Sequence, residues 1–245
     1  MKADPAVQRR LLDLAEADAE LTRLAHRRRT LPEHAALTAA EGAVRAAKDK
    51  LVEVETAAGD LDRDIRRIER DVEGVRARTE RDNAMLASAG VSPKQATDLQ
   101  HELETLARRQ SVLEDEQLEI MERREALGVD VEHSRAALAA AEQELATITE
   151  RRDGALADID AAEAGRRRDR EQIVATVPED VRAVYERRRE ARGTGAAPLV
   201  QRRCQACRLE LDRSAIAELR AAPADELVHC EECGVILVRT KESGL

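Results

Sequence analysis

The chain has 245 residues, of which 37% are charged, and it contains no Phe, no Trp and a single Tyr. This composition excludes a thick globular core and is typical of long helices or coiled coil. The formal net charge of −9 at pH 7 argues against a protein that coats nucleic acid over its whole surface, because such binding requires cationic side chains to neutralise phosphates.

Residues 1–20 mix charged and apolar side chains from the start, so they lack the uninterrupted apolar stretch of a secretory signal. No segment approaches the roughly 18 to 20 apolar residues of a membrane-spanning helix. We therefore expect a cytoplasmic protein that makes no membrane contact. In that compartment, paired cysteines hold metal more often than they form disulfides.

The first predicted helix carries an apolar stripe that includes Val7, Leu11 and Leu14. Pro32 follows this stripe, and proline inside a regular helix removes a hydrogen bond. We therefore expect a break or kink at 30–33.

A heptad pattern dominates the next part of the chain. Its apolar residues are Leu51, Val54, Ala58, Leu61, Ile65, Ile68, Val72 and Val75. A second seam follows from Leu99 to Ile159. Residues 88–93 lie between the two seams and contain Gly90 as a helix-stop signal and Ser92-Pro93 as a helix-start signal. The fold class predicted is mainly α: a long, kinked antiparallel coiled-coil hairpin over 1–177 that turns near 88–93.

The register of this hairpin can be predicted by aligning the two seams. Antiparallel partners have residue numbers with a constant sum, and a sum near 178 brings the apolar positions together. This alignment pairs Ala58 with Ile120 and Val72 with Leu106.

A change of character follows the hairpin. We interpret 178–198 as a neck, with a short helix that contains Tyr185 and a Gly-rich linker at 193–198. Residues 199–245 contain short strand-like runs at 199–201, 209–211, 227–229 and 235–239, and they are predicted to form a small β zinc ribbon.

The chemistry of this ribbon rests on two Cys-x-x-Cys pairs, Cys204 with Cys207 and Cys230 with Cys233. Two residues between cysteines let a tight turn direct both sulfurs at one ion, and two such turns complete a tetrahedral site. We predict a single structural Zn²⁺ that supplies most of the folding free energy of the ribbon, because its apolar residues are few.

Other interpretations of the cysteines are weaker. A redox pair normally starts a helix of a larger α/β unit, and four thiolates leave no open position for a catalytic water. His229 adjoins Cys230 but is not needed as a ligand.

A cluster of basic residues surrounds the neck. Between 186 and 213 there are eight Arg side chains against four acidic ones. The candidate contacts to nucleic acid or to a partner are Arg187, Arg188, Arg189, Arg192, Arg202, Arg203 and Arg208. This local excess favours phosphate contact, although the segment has no aromatic platform on which bases could stack.

The hairpin, Tyr185 and the two cysteine pairs together resemble the bacterial coiled-coil C4-type zinc-ribbon family, whose members are often described as nucleic-acid-binding proteins. The resemblance covers nearly the whole chain and is most specific at 109–122 and 230–237. The chain departs from the family pattern at Lys94-Gln95-Ala96, Val235 and Val238. The resemblance implies zinc on four cysteines and a link to RNA binding or to transcription through sigma-factor contact.

Two functional hypotheses follow. The first is a non-enzymatic adaptor that presents the ribbon on a coiled-coil rod to a protein partner. This hypothesis names a transcription-related protein as the candidate partner. The alternative is an RNA- or DNA-binding protein that uses the basic neck and the ribbon. We expect no catalytic residues and no small-molecule substrate, because the sequence has no phosphate-binding loop, no motif for an activated nucleophile and no prospect of a deep pocket.

Overall fold

A computed structural model describes all 245 residues, which divide into two compact units. Unit 1 comprises Met1–His34 and Arg151–Leu245, and unit 2 comprises Ala35–Glu150. The helices are α1 (Pro5–Arg29), α2 (Pro32–Leu86), α3 (Pro93–Ala175), α4 (Glu179–Arg192) and α5 (Arg213–Ala221). The predicted mainly α fold, with long helices followed by a small C-terminal β region, is confirmed.

The helix ends follow from their capping residues. The Asp4 carboxylate accepts a hydrogen bond from the N–H of Ala6 at 2.7 Å, which starts α1 at Pro5. Pro32 is the first residue of α2, where a missing N–H leaves no helical bond unmade. The break between the two helices therefore consists of Thr30 and Leu31.

The turn between α2 and α3 has its own cap. Gly90 adopts a φ of +110°, a conformation that favours glycine. Ser92 and Gln95 then form a reciprocal capping box, in which the N–H of Ser92 donates to Gln95 Oε1 at 3.0 Å and the N–H of Gln95 donates to Ser92 Oγ at 3.3 Å. These contacts start α3 at Pro93.

Unit 2 is an antiparallel pair of helices joined along an apolar seam. Ala58 packs in one cluster with Leu127 and Val131. Val72 packs in another with Leu113. The predicted partners, Ile120 for Ala58 and Leu106 for Val72, are wrong by seven residues in each case. A heptad pattern repeats every seven residues, so a slip of one repeat keeps apolar residues opposite each other.

Unit 1 contains a four-stranded sheet. Its strands are β1 (Ala196–Val200), β2 (Arg203–Cys204), β3 (Val228–His229) and β4 (Ile236–Val238). Their order is β2-β1-β4-β3, with β1 parallel to β4 and the other two pairs antiparallel.

Two features of this region differ from the sequence prediction. The segment predicted as a linker contributes residues 196–198 to β1, where they pair with β4. Residues 209–211 form no strand, and α5 was not predicted at all. Asp212 caps this helix, because its carboxylate accepts a hydrogen bond from the N–H of Ala215 at 2.7 Å.

The N-terminal residues belong to the same sheet region. Leu227 N–H donates to the Met1 carbonyl at 2.9 Å, and Ala3 N–H donates to the Asp225 carbonyl at 2.6 Å. Apolar residues of α1, α4 and the sheet then form one core. Its fully buried members include Leu11, Leu14, Val181, Tyr185, Ile236 and Val238.

None of the five helices combines the length and the apolar character that crossing a bilayer requires.

Candidate metal centre

The four cysteines come together at one end of the sheet in unit 1. Cys204 ends β2, Cys230 follows β3, and Cys207 and Cys233 lie in the turns beyond them. All four Sγ atoms lie within 4.8 Å of one another, with Cys204 to Cys233 at 3.8 Å and Cys207 to Cys230 at 3.9 Å. A tetrahedral ion with bonds of about 2.3 Å to sulfur needs sulfurs about 3.8 Å apart, so the geometry fits Zn²⁺.

The two Cys-x-x-Cys turns, here called the knuckles, have the same main-chain hydrogen bonds. In each knuckle, the first cysteine donates its N–H to the carbonyl five residues later and accepts at its carbonyl from the N–H four residues later. The four bonds are Cys204 to Leu209 at 3.1 Å, Arg208 to Cys204 at 2.7 Å, Cys230 to Val235 at 2.9 Å and Gly234 to Cys230 at 2.7 Å. The backbone thus holds each pair of sulfurs in place.

The residue after each knuckle takes a left-handed conformation. Gly234 has a φ of +74°, which glycine adopts readily. Arg208 occupies the equivalent place in the first knuckle with a φ of +63°, although a side chain at such an angle is strained. The tight turn that directs Cys207 toward the ion explains why this angle is held.

Burial and main-chain contacts set the acidity of the thiols. Burial raises the pKa of Cys204 to about 12, and it also raises the pKa of Cys230. The N–H of Leu209 donates to Cys207 and lowers the pKa of that thiol. Zinc binds thiolates, so binding of the ion displaces protons from these sulfurs.

An apolar core encloses the metal centre. Leu199, Val235 and Leu237 are at most 1% exposed and pack in one cluster with Cys204 and Cys230. The helix α5 adds Ile216 and Leu219 to this cluster. The ribbon therefore has a larger apolar core than its sequence indicated, and this core stabilises it together with the metal.

The seven arginines predicted as contact residues do not form one free surface. Arg189 forms ion pairs with Asp18 at 3.0 Å and with Glu186 at 3.2 Å. Arg203 pairs with Glu210 at 3.2 Å.

The other arginines of this set lie as follows. Arg202 donates from Nε to the Gly244 carbonyl at 3.2 Å. Arg188 lies over the second knuckle, since a methyl group at Gly234 would come within 3.4 Å of its Nη1. Arg187, Arg192 and Arg208 are exposed.

A buried polar network near the ribbon was missed by sequence reasoning. The Asp18 carboxylate is 2% exposed and accepts from Tyr185 Oη at 2.8 Å and from Arg170 Nε at 2.7 Å. Arg189 completes the set, and burial together with Asp18 raises the pKa of Tyr185 well above its usual range. Every charge in this network has a partner, so its geometry indicates a structural lock between α1, α3 and α4.

The fold and the metal centre define the protein as a coiled-coil hairpin with a four-cysteine zinc ribbon. Two family models match it: the CT398-like coiled coil hairpin domain over residues 14–193, and the C4-type zinc ribbon domain over residues 203–237. Neither family model describes a catalytic domain. The chain belongs to this family of hairpin and zinc-ribbon proteins.

Mycobacterial proteins are among its similar relatives. The uncharacterized protein Rv2229c of Mycobacterium tuberculosis is 44% identical over 239 residues, which is 98% of both chains. The uncharacterized protein ML1638 of Mycobacterium leprae is 31% identical over 228 residues, which is 93% of this chain and 98% of that protein.

Two solved structures have a similar fold. A Mycobacterium smegmatis structure is 41% identical with a TM-score of 0.87, and the match covers 98% of this chain and all of that one. The structure of CT398 from Chlamydia trachomatis has a TM-score of 0.68 at 19% identity, covers 96% of this chain and 98% of that one, and supports the fold alone.

Proposed function

We propose that this protein is a non-enzymatic adaptor that binds other proteins and uses the zinc ribbon as a rigid binding module. The charge balance of the ribbon carries this proposal. Residues 193–245 contain seven Lys and Arg side chains against eight Asp and Glu. Four thiolates around Zn²⁺ add two more negative charges, so the ribbon as a whole repels phosphate and suits a protein surface better.

The coordination of the metal supports a binding role over catalysis. Four thiolates fill the tetrahedral positions of zinc and leave none for a water or a substrate. The strongly buried carboxylate, Asp18, is already paired with Tyr185, Arg170 and Arg189. This buried carboxylate and its partners thus stabilise the fold, and we assign the activity to the protein surface.

The first knuckle offers a surface of the required kind. Leu209 is 51% exposed, next to Arg208, which makes no ion pair. Arginine is enriched among the residues that contribute most to protein–protein binding energy, and the exposed Leu209 adds apolar area beside it. The backbone bonds of the knuckle hold both residues in place, so binding them orders little additional chain.

The test is a comparison of proteins captured in cell lysate by the full-length chain and by a Leu209→Glu/Arg208→Glu variant. We expect at least one protein to be enriched by the parent chain and lost with the variant, while the zinc content of both stays equal. Met85→Glu is the matched control, because Met85 is 57% exposed in unit 2. The proposal fails if the parent chain enriches no protein over beads alone. A transcription protein is the first class of partner to examine.

A second candidate function is RNA or DNA binding by the basic neck and the zinc ribbon, and one observation favours it. Arg187, Arg188, Arg192 and Arg208 make no ion pair, so their guanidinium groups are free to contact phosphates. Gel shifts at low salt test this function, because phosphate contacts are strongest there. Binding that weakens in an Arg187→Glu/Arg192→Glu variant supports it, and no shift of any RNA or DNA at low salt removes it.

A further inference from the structure

The helix α3 presents an unpartnered face on the side away from the hairpin seam. We call it the acidic face, and its residues are Asp115, Leu118, Glu122, Glu125, Val129 and Glu132. At about 100° per residue these positions fall within about 100° of arc. Leu127, which packs in the seam, lies about 180° from Leu118. The acidic face and the seam are therefore opposite sides of one helix.

Large apolar side chains lie open on this face. Leu118 is 59% exposed and Val129 is 68% exposed, and Met121 at the edge of the face is 46% exposed. A solvated coiled-coil surface normally carries polar residues at such positions. Leu118 and Val129 lie eleven residues apart, or about 16 Å along the axis. They thus mark a stripe long enough for about three turns of another helix.

The charge of the face has one sign. Asp115, Glu122 and Glu125 are exposed and make no ion pair. Glu132 pairs with Arg135 at 2.9 Å. No Lys or Arg lies within the arc of the face.

The nearest arginines on α3 turn away from the face. Arg124 reaches across the seam to Asp62 at 2.8 Å, and Arg123 pairs with Glu119 on its own helix. Asp115, Glu122 and Glu125 therefore place negative charge around the exposed Leu118 and Val129, and no ion pair offsets that charge.

We propose that this face binds a basic amphipathic helix of a partner protein. This inference rests on the proposed adaptor function and names the chemistry of the partner. The helix would bury Leu118, Met121 and Val129 under apolar residues spaced three and four apart. Lys and Arg at its flanks would pair with the carboxylates, which is the arrangement that steers and fixes the register of such complexes.

The charge of the face disfavours the other occupants. An antiparallel second copy, centred between Leu118 and Val129, would place Glu122 opposite Glu125, so like charges would meet. Nucleic acid would bring phosphates against the same carboxylates. A basic helix is the occupant that satisfies both the apolar stripe and the charge.

The first test uses the full-length protein and a fluorescent peptide of Leu and Lys patterned as an amphipathic helix, with a scrambled peptide of equal composition. Fluorescence anisotropy should show at least tenfold tighter binding of the patterned peptide. A Leu118→Ser/Val129→Ser variant and a Glu122→Lys/Glu125→Lys variant should each weaken its binding at least tenfold.

Matched variants control for general charge and apolarity. Val52→Ser/Val112→Ser removes exposed apolar side chains elsewhere in unit 2, and Glu69→Lys/Glu73→Lys makes the same charge change on α2. We expect these variants to alter binding less than twofold. Equal binding of both peptides, or equal losses in the control variants, would overturn the proposal.

The second test identifies the natural occupant. A photo-crosslinking residue replaces Leu118 or Val129 in cells, with Val52 and Leu209 as comparison sites, and the crosslinked segment is mapped by mass spectrometry. A captured segment that is basic with apolar residues every three or four positions supports the proposal. Capture of a second copy, of nucleic acid or of an acidic segment contradicts it. Partners captured at Leu209 alone would refute this face while leaving the adaptor function intact, and capture at no site would refute both.

Discussion

The largest fully buried side chains, among them Tyr185, Leu14 and Ile236, all belong to unit 1. Unit 2 is built differently. Its seam consists of small clusters around Val54 and Val72, and its most buried side chain, Leu113, is 2% exposed. Unit 1 thus concentrates its burial around a few residues and a metal, whereas unit 2 distributes burial along two helices.

This difference has an energetic consequence. A network with a metal ion and a buried carboxylate loses much of its stability when one member is removed, because the others are left unsatisfied. A distributed seam loses only the local transfer and cavity free energy of the residue removed. Single substitutions should therefore affect unit 1 more strongly than unit 2, and the following changes test this.

The largest effect is expected for Cys204→Ser. Loss of one thiolate opens the tetrahedral site, so the variant should lose its zinc and unit 1 should be destabilised by more than about 4 kcal/mol. Zinc analysis measures the first effect. Near-UV circular dichroism measures the second, because Tyr185 is the only Phe, Trp or Tyr residue in the chain. Gln205→Ser, at an exposed position of the same knuckle, should keep both signals; zinc retained by the Cys204 variant would contradict the assignment.

Asp18→Ala should have the next largest effect. It leaves Arg170, Arg189 and the Tyr185 hydroxyl without their shared acceptor, and breaking such a buried network costs about 3–5 kcal/mol. Urea unfolding followed by the Tyr185 signal measures it. Asp13→Ala is the control on the same helix, since Asp13 is 49% exposed beside Arg10 and should contribute less than about 1 kcal/mol. Similar losses in the two variants would show that Asp18 is not a structural lock.

Leu113→Ala tests the seam of unit 2. A cavity at this position should destabilise unit 2 by about 2–3 kcal/mol, near the lower end for leucine truncation, because the neighbouring side chains can close around it. Far-UV circular dichroism during urea unfolding measures the loss, and zinc content should stay unchanged. Leu118→Ala, on the exposed face of the same helix, should change stability by less than about 0.5 kcal/mol. Loss of zinc from the Leu113 variant would argue against separate stabilisation of the units.

The smallest effect concerns alkaline pH. Burial and Asp18 raise the pKa of Tyr185, so the folded protein keeps this phenol protonated where an unfolded chain, with an ordinary pKa near 10, loses the proton. The contribution of Tyr185 is therefore complete below about pH 10 and falls by about 1 kcal/mol between pH 10 and 11. The difference in unfolding free energy between the parent and Tyr185→Phe, measured against pH, isolates this slope. Tyrosinate absorbance that rises near pH 10 in folded protein would contradict it.

The sequence predicted the metal site well because its signal is local. Two residues separate Cys204 from Cys207, and two separate Cys230 from Cys233. This spacing within a single turn directs both sulfurs at one ion, whatever the rest of the fold. The sequence signal for the hairpin turn was equally local, because Gly90 and Ser92 determine the conformation of the backbone at their own positions. The register of the hairpin depends on contacts between residues that are distant in the chain. A heptad pattern cannot distinguish the correct register from one that is shifted by seven residues.

Other features depended on distant partners. The first part of β1, residues 196–198, was predicted as a linker because Ala196 and Ala197 have small side chains, and their strand conformation comes from pairing with β4. Burial of Asp18 has no sequence signal, since its partners lie more than 150 residues away. The helix α5 could have been found, because Asp212 is a good N-cap and Ile216 and Leu219 have helical spacing.

The pairing of Lys2 with Glu226 brings together residues 223 or more positions apart in the chain, as does the ion pair of Lys2 with Asp225 at 3.0 Å. At a translation rate of about 5–20 residues per second, the N-terminal segment waits about 10–45 s before its partner leaves the ribosome. During that interval α1 must expose Leu11 and Leu14 to the cell. We expect nascent chains of this protein to engage a chaperone that shields apolar helices, and to be released when the last fifty residues emerge.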